Sequence, residues 1–231
     1  MNDTTIAVRD GSEMRAYVAR PDDAPEKGII VLQEAFGVTD YIRRMADRFA
    51  ERGFLAVAPE LFHRTAPAGT ELSYTDYPSV APHMQALTPD GLAADLKACY
   101  DWLLAEGVPT EKVAAIGFCM GGRAAFLANE TLPLAASVSF YGGGIADQLL
   151  DRVSDLSGPQ LLFWGGEDAN IPQEKTDAVA AALRAAGKTF TEKTFPGAGH
   201  AFARDVGDHY DPAAAAEAWT MTDAFLAKYI A

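Results

Sequence analysis

A cysteine lies on the sharpest turn that the sequence predicts. Residues 116–122 read Ile-Gly-Phe-Cys-Met-Gly-Gly, so Cys119 follows an apolar strand and precedes a helix. This form, G-x-C-x-G, is a cysteine version of the nucleophile elbow. Gly117 and Gly121 remove side chains that would collide at a strained strand-to-helix turn. Because a helix N-terminus favours a thiolate, the pattern predicts nucleophilic catalysis. The alternative is a structural cysteine on a tight turn, and Cys99, on the apolar stripe of a helix, is expected to be such a core residue.

A thiol nucleophile needs a base, and the base needs a residue that orients it. The chain has four histidines, namely His63, His83, His200 and His209. Of these, His200 follows a glycine-rich turn after the last predicted strand, whereas the first two precede the nucleophile and the last lies in a polar run. The acid is expected at Asp168, in the loop after the preceding strand, with Glu167 as its rival. The order Cys119, Asp168, His200 is that of the α/β-hydrolases.

The elements that must position these residues alternate along the chain. The sequence predicts strands over residues 4–8, 14–20, 28–34, 54–58, 112–117, 134–141, 160–164 and 189–195, and helices over 41–52, 88–106, 120–129, 173–186 and 212–229. Such alternation predicts the α/β class, a mostly parallel sheet with helices on both faces. We expect one α/β-hydrolase domain over residues 1–231. Residues 62–87 lack a clear period and are expected to form either a lid-like excursion or a plain surface loop.

Composition limits the possible partners. With 19 Lys and Arg against 32 Asp and Glu, the 231-residue chain has a formal net charge of −13, which argues against nucleic acid. Hydrophobic residues make up 49%, enough for a buried core, yet no apolar stretch is long enough to span a membrane. The N-terminus does not have the pattern of a signal peptide, and two cysteines do not make a disulfide framework. We therefore expect a cytoplasmic enzyme without metal or cofactor, acting on a small molecule as a monomer or homodimer.

Several motifs together resemble the dienelactone hydrolase family, and the resemblance covers nearly the whole chain. They are residues 33–37 (Gln-Glu-Ala-Phe-Gly), 58–62 (Ala-Pro-Glu-Leu-Phe), 117–122 (Gly-Phe-Cys-Met-Gly-Gly), 166–168 (Gly-Glu-Asp), 171–172 (Ile-Pro) and 199–202 (Gly-His-Ala-Phe). The resemblance implies a triad of Cys119, His200 and Asp168. It also implies an oxyanion hole formed by the backbone N–H groups of Ala35 and Met120.

The resemblance assigns a role to Glu34 as well. In the family the matching glutamate contacts the resting thiol, is displaced by substrate and takes the thiol proton. A carboxylate beside a thiol disfavours a standing thiolate and so protects the sulfur from oxidation. The alternative, which the residues alone suggest, is that Glu34 is a strand-end charge in water.

The substrate pocket departs from the family pattern. Arg204 matches a family arginine that binds the substrate carboxylate, although by position alone it is an ordinary surface arginine. The family's second carboxylate-binding arginine is missing, because residues 65–96 contain no Arg or Lys. This absence weakens the case for an anionic lactone and favours a more aromatic, neutral pocket. The expected substrate contacts are Arg204, Phe36, Tyr77, His83 and Tyr141.

The predicted function is hydrolysis of a carboxylic ester or lactone through a thioacyl-enzyme intermediate. One alternative keeps the triad but acts on neutral aryl esters or phosphotriesters, since a polarisable thiolate can attack phosphorus. Another is a non-catalytic module in which Cys119 senses redox state, and it predicts no burst of product on mixing with ester.

Overall fold

The computed structural model describes residues 3–230, and all of its strands form one eight-stranded sheet. The strands are β1 (Asp3–Ala7), β2 (Glu13–Ala19), β3 (Lys27–Leu32), β4 (Phe54–Pro59), β5 (Val113–Phe118), β6 (Ala136–Phe140), β7 (Gln160–Gly165) and β8 (Phe190–Phe195). The helices are α1 (Asp40–Ala50), α2 (Tyr77–Ala86), α3 (Pro89–Ala105), α4 (Met120–Thr131), α5 (Ile145–Gln148), α6 (Gln173–Ala185) and α7 (Pro212–Tyr229). Short 3-10 helices cover Thr110–Lys112 and Leu150–Asp155.

The sheet has the order β1-β2-β4-β3-β5-β6-β7-β8. The first two strands are antiparallel to their neighbours, and β3 to β8 run parallel. Near the carboxyl ends the register pairs Leu32 with Gly117, Phe118 with Phe140, Phe140 with Phe163, and Gly165 with Phe195. The loops after β3, β5, β6, β7 and β8 therefore leave from the same edge, where ligands bind in sheets of this kind.

Alternate side chains of β5 show which helices cover each face of the sheet. The ring of Phe118 lies 5.4 Å from Tyr41 of α1 and 6.0 Å from Trp219 of α7, between centroids. Its neighbour Gly117 faces α4, because a Cβ there would overlap the carbonyl oxygen of Gly121. Helices α1 and α7 thus cover one face, and α4, with α3 packed beside it, covers the other.

The predicted α/β class, the strand set and the five long helices are confirmed, and the element ends differ by at most two residues. Strand β3 ends at Leu32, so Glu34 lies in the loop beyond it rather than at the end of the strand. This difference has a local cause, since pairing with β5 stops at Leu32 and Gly117.

The aperiodic segment 62–87 contains a helix that the sequence pattern did not reveal. Helix α2 begins after Asp76, whose carboxylate accepts the N–H of Ser79 at 3.4 Å, and it has Pro82 in its interior. Val80 is the only residue of α2 that is buried. A helix with a single buried position has no apolar stripe, and therefore no 3.6-residue period to recognise.

Within residues 3–230, no helix is both long and apolar enough to cross a membrane.

Candidate active site

Cys119 occupies a strained turn between β5 and α4. Its backbone has φ 56° and ψ −118°, in the region that side chains other than glycine rarely adopt. The turn is held because the Cys119 N–H donates to the carbonyl oxygen of Phe140 at 3.0 Å. A Cβ on Gly117 would overlap the carbonyl oxygen of Gly121, and a Cβ on Gly121 would overlap that of Leu32. The two glycines therefore let α4 start directly above β5, with the sulfur at its first turn.

Asp168 and His200 lie side by side in the loops after β7 and β8. The Nδ1 atom of His200 is 2.7 Å from Oδ2 of Asp168. The other carboxylate oxygen of Asp168 accepts the N–H of Asn170 at 2.9 Å, and the residue is only 4% exposed. The rival carboxylate, Glu167, is exposed. The hydrogen bond from the Asn170 N–H thus fixes one carboxylate oxygen of Asp168, and the other carboxylate oxygen orients the imidazole of His200.

The two loops approach closely because β7 ends in glycine. A Cβ on Gly165 would lie 2.6 Å from the carbonyl oxygens of both Ala198 and Gly199. A larger residue would push the β8 loop, and His200 with it, away from Asp168. The residue after His200, Ala201, has φ 62°, so the histidine itself sits on a constrained turn.

The Cys119 sulfur lies beside His200, close enough for hydrogen bonding and charge to act on the imidazole. Burial lowers the pKa of His200, but the hydrogen bonds to Asp168 and Cys119 outweigh burial and raise this pKa to about 10. An imidazole that holds its proton so firmly can neutralise an adjacent thiolate. The geometry therefore suits a thiolate–imidazolium pair.

Glu34 and Arg204 form a buried pair next to these three residues. Glu34 is 1% exposed, and its Oε2 accepts a hydrogen bond from Nη1 of Arg204 at 3.4 Å, while Oε1 has no hydrogen-bond partner. Burial raises the pKa of the Glu34 carboxyl, against the opposing charges of Arg204 and His200. Since Oε1 has no partner, the contact between glutamate and thiol that the resemblance implies is not formed in this structure.

Arg204 is covered by aromatic rings. Its guanidinium carbon lies 4.3 Å from the centroid of Tyr74 and 5.7 Å from that of Phe36, within the range of cation–π contacts. Arg204 is 5% exposed. The arginine expected to bind substrate is therefore held by a carboxylate on one side and by rings on another.

Two backbone N–H groups are available near the sulfur. Met120 opens α4, and Ala35 follows Glu34 in the loop after β3; within residues 3–230 neither amide donates to a backbone carbonyl. Gln33 holds this loop in place, since its Oε1 accepts the N–H of Leu61 at 3.0 Å and its Nε2 donates to the carbonyl oxygen of Glu34 at 3.2 Å. Free amides at these two positions have the character of an oxyanion hole.

The remaining predicted substrate contacts fall in different places. Tyr141 is buried with φ 40°, and its ring lies 5.2 Å from that of His200. Tyr77 is 65% exposed on α2. His83 stacks on Phe62 at 5.3 Å and shares a hydrogen bond with the Thr65 hydroxyl. Tyr77 and His83 therefore stay predictions, with no contact to the triad among the described residues.

Sequence reasoning overlooked two residues near the site. Tyr74, which lies in the aperiodic segment 62–87, packs on Arg204 and donates its hydroxyl to Thr39 at 3.0 Å. Arg123 lies one turn after Cys119 on α4 and is only partly exposed. The spacing of four residues between Cys119 and Arg123 was a usable signal, because residues so spaced share one face of a helix.

A nucleophile elbow at the carboxyl edge of a mostly parallel sheet, followed by an acid after β7 and a histidine after β8, defines the class of α/β-hydrolases. The sequence model of the dienelactone hydrolase family matches residues 14–230. The chain belongs to this family and is a hydrolase.

Proteins with a similar sequence or structure support the assignment to this family. A Salmonella typhimurium protein, provisionally named carboxymethylenebutenolidase, is 36% identical over 230 residues, which cover 95% of this chain and 84% of that protein. A Klebsiella pneumoniae crystal structure, provisionally assigned as a dienelactone hydrolase, is 33% identical with a TM-score of 0.89 and 98% coverage of both chains. A dienelactone-hydrolase-like promiscuous phosphotriesterase from metagenomic libraries is 24% identical, with a TM-score of 0.84 and 98% coverage of both chains. This last likeness concerns the fold alone.

Proposed function

We propose that this hydrolase cleaves carboxylic esters or lactones through a thioacyl-enzyme formed on Cys119. The observation that carries the proposal is the 2.7 Å hydrogen bond between Asp168 and His200, with the Cys119 sulfur beside the same imidazole. The Salmonella typhimurium relative provisionally named carboxymethylenebutenolidase supports a lactone as one substrate.

Acylation begins with the Cys119 thiolate, which adds to the ester carbonyl carbon. The developing oxyanion accepts hydrogen bonds from the N–H groups of Ala35 and Met120. As the intermediate collapses, its C–O bond breaks and His200 gives its Nε2 proton to the departing alkoxide oxygen. The products of this half-reaction are an alcohol, or the ring-opened hydroxyl of a lactone, and a thioester on Cys119.

Deacylation runs through the same groups in reverse. Neutral His200, oriented by Asp168, takes a proton from water as the water oxygen adds to the thioester carbonyl. The C–S bond then breaks, the carboxylic acid leaves, and the thiolate again faces a protonated imidazole. A thiolate is expelled more readily than the anion of an amine, so esters and strained lactones should react and amides should not.

Glu34 is proposed to accept the thiol proton when substrate enters, while His200 keeps its own proton for the leaving group, and to return that proton to the Cys119 thiolate after the acid has left. Its carboxyl is buried, and its raised pKa makes it a better proton acceptor than a carboxylate in water. Its free Oε1 supports this role, since protonation of this oxygen breaks no existing hydrogen bond. The Arg204 side chain holds the opposite oxygen and keeps the carboxylate in place.

The first prediction compares the two cysteines. Cys119→Ala should lower kcat/KM for p-nitrophenyl acetate by about three orders of magnitude or more, because removal of a nucleophile leaves only binding and the oxyanion hole. Cys99→Ala is the matched control: this thiol is fully buried on α3 and lies outside the triad. Near-normal turnover by Cys119→Ala would refute the proposal.

A substrate panel separates the alternatives that the sequence leaves open. Wild-type enzyme should release a burst of nitrophenolate from aryl esters and should also open a dienelactone. Faster turnover of an aryl phosphotriester than of either would favour phosphoryl transfer at the same sulfur. The absence of any burst would favour the redox-sensing module.

A further inference from the structure

Gln33 has a buried side chain in the loop after β3, and its amide has a partner at each end. Its Oε1 accepts the N–H of Leu61 at 3.0 Å, and its Nε2 donates to the carbonyl oxygen of Glu34 at 3.2 Å. Because a backbone N–H can only donate and a carbonyl oxygen can only accept, these partners fix the direction of the amide. The side chain is fully buried, so water does not compete for either hydrogen bond.

The carbonyl that Gln33 holds belongs to the same peptide unit as the N–H of Ala35. A trans peptide unit is planar, with its oxygen and its amide hydrogen on opposite sides. A hydrogen bond to the Glu34 oxygen therefore also sets the direction in which the Ala35 N–H points. It makes this N–H a stronger donor as well, since hydrogen bonds in a chain polarise one another.

The two proposed oxyanion amides are held in different ways. The N–H of Met120 belongs to the peptide unit of the Cys119 carbonyl, which accepts the N–H of Gly122 at 2.9 Å. That unit is thus oriented by the backbone of α4 itself. The Glu34 carbonyl accepts no backbone N–H among residues 3–230, so the side chain of Gln33 is what orients the other unit.

The backbone of Gln33 also lies against the first turn of α4. A Cβ on Gly121 would lie 2.5 Å from the carbonyl oxygen of Gln33, so no side chain separates this loop from the turn that carries Cys119. The partner at the far end of the amide, Leu61, is buried in the loop after β4. The loop that carries Ala35 is thereby held between two supports, the start of α4 and the loop after β4.

We propose that Gln33 is a positioning residue, which directs and polarises the Ala35 N–H toward the oxyanion of the reaction. The negative charge on the substrate oxygen develops only as the thiolate adds, so the contribution of Gln33 falls on kcat rather than on substrate binding. The inference rests on the proposed function and deepens it by naming a residue that sets the strength of the oxyanion hole.

The test compares two reactions of the same sulfur in Gln33→Met, where an unbranched side chain of similar length lacks the amide. With p-nitrophenyl acetate we expect kcat to fall about 10- to 100-fold and KM to stay within about twofold. This is less than the loss of about 10²- to 10³-fold that removal of an oxyanion donor causes, because the Ala35 amide remains but loses its direction. Alkylation of Cys119 by iodoacetamide displaces iodide from a CH2 carbon and forms no oxyanion, so its rate should stay within about twofold of wild type.

Gln160 provides a matched control. It is also fully buried, and its Nε2 donates to the carbonyl oxygen of the next residue, Leu161, at 3.2 Å. It lies at the start of β7, at the opposite edge of the sheet from the site. Gln160→Met should therefore disturb the fold in the same way and leave kcat within about twofold of wild type.

The outcomes separate this inference from the proposed function. Equal losses in ester hydrolysis and in alkylation would mean that Gln33 acts on the thiolate or on the fold, and would overturn the inference. An unchanged kcat in Gln33→Met, or an equal loss in Gln160→Met, would also overturn it. If Gln33→Met does not fold, Gln33→Asn, whose amide is too short to reach both partners, should show the same selective loss of kcat. If wild-type enzyme hydrolyses no ester, the proposed function fails, and this inference with it.

Discussion

Replacing Asp168 by asparagine tests what its carboxylate contributes. One carboxylate oxygen accepts the Asn170 N–H at 2.9 Å, and the other faces Nδ1 of His200 at 2.7 Å. In Asp168→Asn the amide oxygen should keep the bond to Asn170, which turns the NH2 group toward His200. Two donors cannot pair, so Nδ1 must become the acceptor. The ring then carries its single proton on Nε2, so it is neutral beside the thiolate and cannot take a proton from the water of deacylation.

The magnitude follows from the burial of this contact. A hydrogen bond to a charged group contributes about 1.5–3 kcal/mol, and solvent screens it little at a residue that is 4% exposed. Since about 1.4 kcal/mol corresponds to a tenfold change in rate, the loss of this hydrogen bond alone lowers kcat/KM by about 10- to 100-fold. The tautomer of His200 with its proton on Nε2 lowers kcat/KM further. We expect kcat/KM to fall by about 10²- to 10⁴-fold, in line with triads of this type.

The assay is the initial rate on p-nitrophenyl acetate, together with the rate at which iodoacetamide alkylates Cys119 between pH 5 and pH 9. Loss of the imidazolium should slow alkylation at neutral pH, because His200 no longer stabilises the thiolate. The rise of the alkylation rate with pH should therefore move to higher pH. Glu167→Gln, which neutralises the neighbouring exposed carboxylate, is the control. An Asp168→Asn enzyme within about threefold of wild type, or an equal loss in the control, would refute the reasoning.

Two further predictions concern stability. Burial raises the pKa of Glu130 from 4.5 to about 8, so this carboxyl destabilises the fold progressively as pH rises from about 4.5 to about 8. After allowance for solvent screening, Glu130→Gln should raise the free energy of unfolding by about 2 kcal/mol at pH 8.5. At pH 4 the substitution should leave the free energy of unfolding unchanged. Urea titrations that show equal gains at both pH values would contradict this prediction. Gly117→Ala should lower the free energy of unfolding by more than about 3 kcal/mol, because its Cβ overlaps the carbonyl oxygen of Gly121; a melting temperature within about 2 °C of wild type would contradict it.

The catalytic candidates were predictable because their signals are local. Gly117 and Gly121 flank the cysteine within five residues, and the strand before it and helix after it have strong hydrophobic periods. Asp168 and His200 follow from the rule that parallel strands end at one edge, where the structure places both. The confirmed strand order explains why residues 81 positions apart, Cys119 and His200, meet.

Other parts of the site depend on packing that no local pattern encodes. The contact of Tyr74 with Arg204 joins an aperiodic segment to the loop after β8. Glu34 was expected either in water or at the thiol, whereas it is buried against Arg204. His83 stacks on Phe62, and its expected contact with substrate stays a prediction. Each of these outcomes depends on which side chains fill the space between loops, which the periodicity of single elements does not specify.

The most direct test of the central claim is to trap the acyl-enzyme. His200→Ala, which removes the base for deacylation, is mixed with p-nitrophenyl acetate, quenched in acid and analysed by peptide mass spectrometry. We predict one acetyl group per chain on the peptide that contains Cys119, and none on the peptide that contains Cys99. Acetylation at any other residue, or hydrolysis by wild-type enzyme without acylation of Cys119, would contradict the account.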